Sequence, residues 1–455
     1  MADSGTEEST GQGKLSAMRQ AHLRDLNERW AIAAAEHNFG GAWIAAGDET
    51  LYFGDDQGPA FKPNAYFTQW VPPEFAVPGA HILLRPGRQP VLFQPTPVDY
   101  WHAVPPVPED LQPDVDIRTF TTRGALLAAC RGEVTGERMA YIGRSMGSNE
   151  DFGEPNPIPL LSHADFYRAE KTPWELHLMR QASEVGARGH QAAEGAFLQR
   201  GTEFDIHMAY LMASAQTEAQ LPYANIIALN EHAAILHYTL HDKQHSSPPR
   251  SLLIDAGGNA SGYASDITRT HATPGRDHQV FADLIAAMQL HQDKLLSSIE
   301  PGLRFADLHV QMHEQLTDLL IASDIAQCSV DQARQLRLSD AFCPHGLGHL
   351  LGIQVHDVGG HQADPSGTPA PPPPEYPTLR FTREVRQDYV FTVEPGLYFI
   401  ESLLEPLRAA GAPLNWRLID SLWGYGGIRI EDNVRVLERG IENLTRDAWL
   451  RAAND

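Results

Sequence analysis

The stretch that decides the fold is SLLIDAGGNASGYASDITRT, residues 251–270. Two apolar, strand-like runs flank the turn-forming cluster Asn259–Gly262, a pattern that predicts a β-hairpin. If the hairpin folds about the middle of the stretch, Asp255 lies directly opposite Asp266, with Cβ atoms about 4.5–5.5 Å apart on one face. The stretch therefore predicts a strand pair that carries two facing carboxylates.

Two carboxylates at that separation repel each other, so one of them must take up a proton or a cation. Leu252, Leu253 and Ile254 make the approach to Asp255 apolar, which raises the cost of leaving the charges bare. A bound divalent cation would resolve the repulsion. The alternative is a solvated hairpin with two surface aspartates, and this stretch alone does not decide between them.

Two glutamates also favour a bound divalent cation. Glu394 follows the apolar run YVFTV and precedes Pro395-Gly396, so we expect a strand to deliver it to a loop edge. Within GIRIEDNV, strand alternation puts Arg429 and Glu431 on one face. Each glutamate alone would fit an ion-paired strand residue, but four carboxylates in apolar strands fit one cluster better. Such a cluster is too acidic for a single catalytic zinc and suits two ions about 3.5–4 Å apart.

Three histidines lie in HGLGHLLGIQVHD, residues 345–357. The spacing of His345 and His349 is that of one helical face, but Gly346 and Gly348 disfavour a helix and no HExxH motif is present. We expect an irregular segment that leads into a strand, GIQVHD, with His356 near its end.

Composition excludes several classes of function. The chain has 455 residues, with 35 Lys and Arg against 58 Asp and Glu, a net charge of −23. Such a surface repels nucleic acid and anionic membranes. The three widely spaced cysteines fit neither a disulfide framework nor a zinc knuckle and favour a reducing compartment. Since we find no signal peptide and no apolar run long enough for a membrane span, we expect a cytoplasmic protein.

The chain divides into a tail and two domains. We expect a disordered tail over residues 1–13 and an N-terminal α/β domain over 14–165. That domain should begin with a helix from Leu15 to about His37, followed by the strand-like pieces AWIAA, TLYF, HILLRPGRQPVLF (a hairpin) and RMAYIG.

The second domain, residues 170–455, opens at KTPWE, where Thr172, Pro173 and Glu175 form a helix start with a capping box. A further helix is expected from TEFD at 202–205, and two more near 277–299 and 304–323. The Pro-rich segment 363–377 cannot continue a helix or a central strand, so we expect a surface loop.

A family resemblance rests on a series of motifs that occur in this order: LPYANIIALNEHAAILHYT, LLIDAGG with SDITRT, PHGLGHLLGIQVHDVGG, TVEPGLYF and GIRIEDNV. Together they resemble the pita-bread (creatinase/aminopeptidase) metallopeptidases, specifically the bacterial Xaa-Pro dipeptidases, or prolidases, to which the organophosphorus acid anhydrolases are close. The resemblance covers residues 170–440 strongly and the N-terminal region loosely. It implies an α/β (α+β) chain with an N-terminal α/β domain and a C-terminal pita-bread catalytic domain.

The resemblance implies two divalent ions, with Mn²⁺ favoured over Co²⁺ or Zn²⁺. The five positions that match the family's metal ligands are Asp255, Asp266, His349, Glu394 and Glu431. Glu394 would also shuttle the proton of the attacking water. His237, which ends the run AAILH, and His356 would position the substrate and stabilise the tetrahedral intermediate.

On the substrate side, Arg429 resembles the arginine that pairs with the free carboxylate of a dipeptide, and Arg380 occupies a similar position. Tyr223 and Leu236 would line the pocket, with His345 as a supporting neighbour. In the family the N-terminal domain covers the site and contributes across a dimer interface. Trp101 and Asp56 are the candidates for that contribution.

The sequence thus predicts a cytoplasmic, homodimeric metallodipeptidase that hydrolyses Xaa-Pro dipeptides and binds neither nucleic acid nor membranes. One alternative is an aminopeptidase P that acts on longer Xaa-Pro peptides. Hydrolysis of organophosphorus esters is expected as a side activity. A non-catalytic peptide-binding module is disfavoured, because such modules typically lose the ligands and here all five positions match.

Overall fold

The computed structural model describes residues 4–133, 136–144 and 152–452 of the chain. The chain forms two compact units, of which the first comprises Met1–His177 with Asp364–Thr368 and the second comprises Leu178–Ala363 with Pro369–Asp455. The division falls inside a helix that begins at Pro173, whereas we expected a boundary at 165–170. Both units contain helices and strands, so the chain is of the α/β (α+β) class.

In chain order, helices α1 to α13 span Ser4–Glu36, Ala65–Thr68, Arg123–Gly132, Ile158–Arg168, Pro173–Leu198, Glu203–Ser214, Gln279–Ser297, Phe305–Ala322, Val330–Gln335, Leu338–Phe342, Glu401–Ala409, Trp416–Leu422 and Leu444–Ala452. Strands β1 to β16 span Gly41–Ala45, His81–Leu84, Val91–Pro95, Asp116–Phe120, Met139–Ile142, Glu154–Pro155, Ile226–Leu229, Ser251–Asp255, Asn259–Ala260, Tyr263–Ala264, Thr268–Ala272, Val390–Val393, Gly396–Tyr398, Gly427–Arg429, Asp432–Val436 and Ile441–Asn443.

The first unit is built on a mixed six-stranded sheet with the order β4-β3-β2-β1-β5-β6. Its hairpin β2–β3 is the one predicted from HILLRPGRQPVLF, and RMAYIG supplies β5, which pairs with β1 in parallel. Apolar side chains cover both faces of the sheet. One face packs on α1 and α4 and the other on α3, so the sheet is sealed between helices.

Helix α1 begins earlier than expected. It starts at Ser4, inside the segment predicted as a disordered tail, of which residues 1–3 lie outside the described residues. The first proline of the chain is Pro59, so no residue upstream of Leu15 forbids helical backbone. An isolated glycine such as Gly11 costs a helix only about 1 kcal/mol.

The run TLYF, residues 50–53, is not a strand. Leu51, Tyr52 and Phe53 are exposed, and the Tyr52 N–H donates to the Gln57 carbonyl, so the segment closes on itself as a loop. A short apolar run forms a strand only where another strand is available to pair with it. The sequence prediction was wrong here for that reason.

The second unit holds small antiparallel sheets, with the orders β11-β8-β7, β12-β15-β16 and β13-β14. Helices α7 and α8 confirm the two helices expected near 277–299 and 304–323. The capping box at Thr172 and Glu175 is present, as is the one formed by Thr202 and Asp205 at the start of α6.

The hairpin of residues 251–270 is present, but its register differs from the expected one. Asp255 pairs with Thr268, not with Asp266. The turn consists of Ser261 and Gly262, both with positive φ (48° and 93°), the requirement of a two-residue type I′ turn. The fold axis therefore lies one residue beyond the middle of the stretch, and Asp255 and Asp266 become diagonal neighbours on one face.

The segment 345–349 is irregular, as its glycines predict, but GIQVHD is not a strand. The Gly352 N–H donates to the carbonyl of Gln354, which bends the chain where a strand was expected. The Pro-rich segment 363–377 contains neither helix nor strand, only an isolated bridge between Gln362 and Pro369. Within the described ranges, no helix is both long and apolar enough to cross a membrane.

Candidate metal centre and active site

Glu394 and Glu431 face each other across two antiparallel segments. The flanking ladders, β12 with β15 and β13 with β14, share one register that leaves these residues opposite each other. Glu394 donates its backbone N–H to the Leu347 carbonyl (2.8 Å) and Glu431 donates its own to the Thr268 carbonyl (3.0 Å). Neither N–H forms a hydrogen bond between the two segments. The two glutamates are therefore a non-hydrogen-bonded antiparallel pair, the kind with the shorter Cα–Cα distance.

The pairing extends across the neighbouring strands. Glu431 bridges to Thr268, and Thr268 pairs with Asp255. Asp255, Thr268, Glu431 and Glu394 therefore stand in one row across four strand segments, and residues in one such row share a face. The register of the strands, rather than any local motif, brings the carboxylates together.

Tyr223 lies between the two aspartates of the hairpin. Its hydroxyl is 2.7 Å from Asp255 Oδ1 and 2.5 Å from Asp266 Oδ1. A phenol carries one proton and can donate to only one of them at a time. When both carboxylates are ionised, the second contact is repulsive unless a cation lies nearby. We expected Tyr223 to line the substrate pocket, and the structure places it against these two carboxylates.

His349 supplies the only nitrogen of the predicted ligand set. Its Nδ1–H donates to the Leu350 carbonyl (3.0 Å), which leaves the Nε2 lone pair facing the carboxylates. Nε2 lies 3.3 Å from Asp266 Oδ2 and 3.6 Å from Glu394 Oε1. One potential ligand atom from each of Asp266, His349 and Glu431 lies within 4.8 Å of the others.

The negative charges of this cluster have to be offset by protons or by cations. Burial, and then the carboxylates of Asp266, Glu394 and Asp255, raise the pKa of Glu431 well above its ordinary value. Burial likewise raises the pKa of Glu394 to about 7. Two buried carboxylates (Asp266 and Glu431), two partly buried ones (Asp255 and Glu394) and one imidazole form an oxygen-rich donor set that divalent cations fit.

The guanidinium of Arg429 is bonded to three groups of the protein. It is buried, and its Nε, Nη1 and Nη2 donate to Thr268 Oγ1 (3.1 Å), Tyr398 Oη (2.8 Å) and Asp255 Oδ2 (2.6 Å) respectively. Each of its three nitrogens is engaged by the protein, so the expected pairing with a substrate carboxylate is not supported. The motif identified an arginine at the site but not its partner.

Arg380 has the opposite environment. Its side chain is exposed, and among the residues that the structure describes no carboxylate pairs with it. It lies close enough to His356 to contribute, after burial and His349, to lowering the pKa of His356 to about 4. Of the two candidate arginines, Arg380 is the one with a free guanidinium near the site.

His356 and His345 flank the ligand histidine. The His356 ring stands edge-on to that of His349, with centroids 4.4 Å apart. His345 donates from Nδ1 to the Gly346 carbonyl (2.8 Å) and accepts at Nε2 from the Tyr398 hydroxyl (2.9 Å). The Tyr398 hydroxyl also accepts a hydrogen bond from Arg429. His345 is thus linked to the site through Tyr398, the position expected of a supporting neighbour.

His237 lies on a loop that a buried carboxylate fastens. Glu203, at the start of α6, accepts hydrogen bonds from Leu229 N (2.9 Å), His232 Nδ1 (2.7 Å), Tyr238 Oη (2.6 Å) and Asp242 N (2.8 Å). These partners fall on both sides of His237, whose own side chain is exposed. Leu236 packs against the apolar cluster that contains Tyr398.

The two N-terminal candidates are exposed within the first unit. Trp101 is 75% exposed, and Asp56 is exposed in the loop that follows Phe53. Their contribution to a site stays a prediction.

Several residues at the site were missed by sequence reasoning. Asn433 uses both ends of its amide on the backbone of Asp266, accepting from its N–H (2.9 Å) and donating to its carbonyl. Asn433 stands two residues after Glu431, inside a motif already singled out, so proximity could have found it. Tyr398 likewise stands four residues after Glu394 inside the motif TVEPGLYF. Glu203 and Gln292 gave no such signal, because their roles depend on tertiary contacts.

Comparisons with known proteins agree with this geometry. Residues 177–438 match metallopeptidase family M24, and residues 17–166 match the Xaa-Pro dipeptidase N-terminal domain. The Xaa-Pro dipeptidase of Aeromonas hydrophila is 42% identical over 436 residues, which cover 94% of this chain and 98% of that protein. That of Shewanella loihica is 41% identical over 443 residues, covering 96% and 99%.

Solved structures share the fold. An aminopeptidase of Pseudomonas aeruginosa superposes with a TM-score of 0.70 at 22% identity, covering 95% of this chain and 99% of that one. Aminopeptidase P of E. coli superposes with a TM-score of 0.71 at 21% identity, covering 96% and 99%. At such identities these likenesses concern the pita-bread fold alone.

Proposed function

The chain belongs to metallopeptidase family M24, and from that premise we propose that it hydrolyses Xaa-Pro dipeptides. The observation that carries the proposal is the convergence of Asp255, Asp266, His349, Glu394 and Glu431 on one buried site. The full-length similarity to proteins named Xaa-Pro dipeptidase supports the substrate class.

Two divalent ions would be held by the five predicted ligands, Asp255, Asp266, His349, Glu394 and Glu431. Mn²⁺ suits a set of ligands so rich in oxygen. When bound, such ions polarise the scissile carbonyl and make a water nucleophilic near neutral pH. The pairing of the strands keeps Asp255, Glu394 and Glu431 in place, Asn433 holds the backbone of Asp266, and the Leu350 carbonyl orients His349. Arg429 compensates the charge of Asp255 from the protein side.

The remaining steps fall to side chains around the donors. Glu394 takes a proton from the attacking water as the new C–O bond forms, and returns it to the proline nitrogen as the C–N bond breaks. His237 and His356 orient the peptide and donate to the carbonyl oxygen on which negative charge develops. A neutral imidazole has the single N–H that this task needs, and the lowered pKa of His356, about 4, favours that form near neutral pH.

Arg380 takes the role first given to Arg429. A dipeptide ends in a carboxylate one residue beyond the scissile bond, and an exposed guanidinium is suited to bind it through two hydrogen bonds. A longer peptide presents a neutral amide at that position. The anchor would therefore select dipeptides by length.

The alternative function is that of an aminopeptidase P, the activity named for the E. coli structure of the same fold. The two activities differ in the group on the far side of the proline, which is a free carboxylate in a dipeptide and a peptide bond in a longer substrate. A dipeptidase is expected to prefer Ala-Pro to a tripeptide such as Ala-Pro-Ala, and an aminopeptidase P is expected to do the reverse.

We also propose a cytoplasmic homodimer. Phe53, Tyr100 and Trp101 are large, exposed aromatic side chains of the first unit, which a second copy would cover. Trp101 and Asp56 would then contribute to the partner's substrate pocket. The three free cysteines suit a reducing compartment.

One experiment tests the main proposal. Turnover of Ala-Pro and Ala-Pro-Ala is measured on the full-length protein as purified, after chelation, and after addition of Mn²⁺ or Zn²⁺. We expect activity on Ala-Pro to vanish on chelation and return with metal, and Asp266→Asn to abolish it. Full activity in Asp266→Asn would contradict the site, and preference for the tripeptide would favour the aminopeptidase. A paraoxon assay on the same preparations tests the predicted side activity.

A further inference from the structure

We propose that Gln292 is a positioning residue for Glu394 and Glu431, because its side-chain amide supplies the backbone hydrogen bond that Pro395 cannot make. The inference rests on the proposed function, in which both glutamates hold the metal ions. It concerns a residue of α7 that lies about a hundred positions from the strands it serves, outside every motif of the sequence.

The hydrogen-bond ladder between the segments that carry Glu394 and Glu431 has a gap. The shared register of the flanking strands puts Pro395 opposite Ile430. Ile430 donates its N–H to the Pro395 carbonyl (3.3 Å). In an ordinary antiparallel pair of this kind the two residues exchange both bonds, but proline has no N–H to return. The Ile430 carbonyl, on a residue that is 2% exposed, therefore needs another donor.

Gln292 provides that donor. Its Nε2 donates to the Ile430 carbonyl (3.1 Å) and to the Val393 carbonyl (2.9 Å). Val393 immediately precedes Glu394, and Ile430 immediately precedes Glu431. One amide group thus ties together the two segments at the position just before each glutamate, and it does so where the backbone ladder is interrupted.

The orientation of the amide is fixed by its other end. Oε1 accepts from Arg446 Nη2 (2.9 Å) and from Gln289 Nε2 (3.2 Å). Both partners are donors, so an inverted amide would face donor against donor on one side and carbonyl against carbonyl on the other. Arg446 is itself held by the buried Asp432 (2.6 Å). The side chain is fully buried and has one satisfactory arrangement.

The expected consequence is a loss of metal affinity rather than only a loss of stability. Without the amide, the Ile430 carbonyl is left unsatisfied and the two segments are free to separate where the like-charged glutamates repel each other. Residues that hold metal ligands in place typically contribute about 10–100-fold to metal affinity or activity.

The test compares Gln292→Met with Gln94→Met in the full-length protein. Gln94 is a matched control, because it is also 0% exposed and its Nε2 donates to a backbone carbonyl, that of Phe75 (2.9 Å), in the first unit. Mn²⁺ affinity is measured by chelator competition, alongside kcat and KM for Ala-Pro and the thermal midpoint without metal. We expect Gln292→Met to weaken Mn²⁺ binding about 10–100-fold and to lower kcat more than it raises KM. Gln94→Met should change only the thermal midpoint.

Wild-type Mn²⁺ affinity in Gln292→Met, or an equal loss in Gln94→Met, would overturn the proposal. Failure of the wild-type protein to bind Mn²⁺ or cleave Ala-Pro would instead contradict the proposed function. A second variant isolates the mechanism, because Pro395→Ala restores an N–H that is able to bond the Ile430 carbonyl. In that background Gln292→Met should cost less than about threefold in Mn²⁺ affinity, and an undiminished cost contradicts the proposal. If Gln292→Met alone does not fold, the double variant is expected to fold, and an unfolded double variant also contradicts it.

Discussion

Arg429 donates to the carboxylate of Asp255 over 2.6 Å, and both side chains belong to the buried site. Its Nη1 and Nε donate to Tyr398 and Thr268. The guanidinium of Arg429 therefore holds an acidic side chain of the protein, instead of being presented to a substrate carboxylate. The exposed guanidinium near His356 is that of Arg380, and the two arginines therefore lead to different expectations.

Arg380→Met is expected to raise KM for Ala-Pro about 10–100-fold and to leave the Mn²⁺ affinity unchanged. The reason is the loss of a charge-assisted hydrogen bond to the substrate carboxylate, worth about 1.5–3 kcal/mol. Steady-state kinetics measures it, with Arg417→Met, at another exposed arginine, as the control. An unchanged KM would show that the carboxylate is bound elsewhere.

Arg429→Met is expected to destabilise the protein. Removing one partner of a buried ion pair leaves an uncompensated charge and typically costs about 3–5 kcal/mol. The measurement is urea unfolding with chelator present, where the loss reflects the protein alone. If Arg429→Met instead keeps wild-type stability and raises only KM, its role would be the substrate recognition that the sequence first suggested.

Glu431→Gln is expected to have opposite effects with and without metal. Glu431 lies opposite Glu394 and close to Asp266, and the repulsion among them destabilises the protein when no cation is bound. Replacing one carboxylate by a neutral amide relieves that repulsion but removes a ligand. The thermal midpoint in excess chelator should rise or stay level, while the increase on adding Mn²⁺ should largely disappear. A lower midpoint in chelator together with normal stabilisation by Mn²⁺ would contradict both arguments.

Gly262→Ala is expected to destabilise the hairpin that carries both aspartates. Gly262 has φ of 93°, and forcing a Cβ into the left-handed region costs roughly 1–2 kcal/mol. Ser261→Asn is the matched variant, since asparagine tolerates positive φ better than serine and should be neutral or slightly stabilising. Urea unfolding compares the two, and equal effects would mean that the turn does not fix the register.

That turn illustrates what the sequence could and could not predict. The hairpin β2–β3, strand β5 and the capping boxes follow from residues close together in the chain, and the structure has them as expected. Strand β13 begins two residues after Glu394, where a loop was expected. The register depended on a serine with φ of 48°, which serine seldom adopts, so the fold axis was placed one residue early.

Other features required contacts between distant segments. The motif GIRIEDNV predicts an arginine at position 429, but it does not indicate that this arginine bonds Asp255 and Tyr398. Likewise, α7 shows only helical periodicity, and nothing in it indicates that Gln292 meets the carbonyl groups of Val393 and Ile430. Local chemistry was predictable, while the pairing of side chains across elements needed the tertiary structure.

His291, which is not among the predicted metal ligands, is expected to make stability depend on pH. It is 4% exposed on α7, borders a cavity of about 250 Å³ between α7 and α8, and neither ring nitrogen has a hydrogen-bond partner among the described residues. Burial, and then the charges of Lys294 on its own helix and His313 on α8, lower the pKa of His291 to about 3. Asp318 of α8 is the acidic group that borders the same cavity.

Because the folded-state pKa lies below the ordinary value of about 6.5, the unfolded chain binds this proton first. The contribution of His291 is therefore complete above pH 6.5 and is lost as the pH falls toward about 3. One proton corresponds to a slope of up to about 1.4 kcal/mol per pH unit in that window. His291→Phe should flatten the pH dependence of the unfolding free energy between pH 4 and 6.5 by up to that amount, measured by urea unfolding with chelator present. The control is the same substitution at the exposed His245, His245→Phe. An unchanged slope in His291→Phe would contradict the prediction, because it would show that the buried ring is protonated as readily in the folded protein as in the unfolded chain.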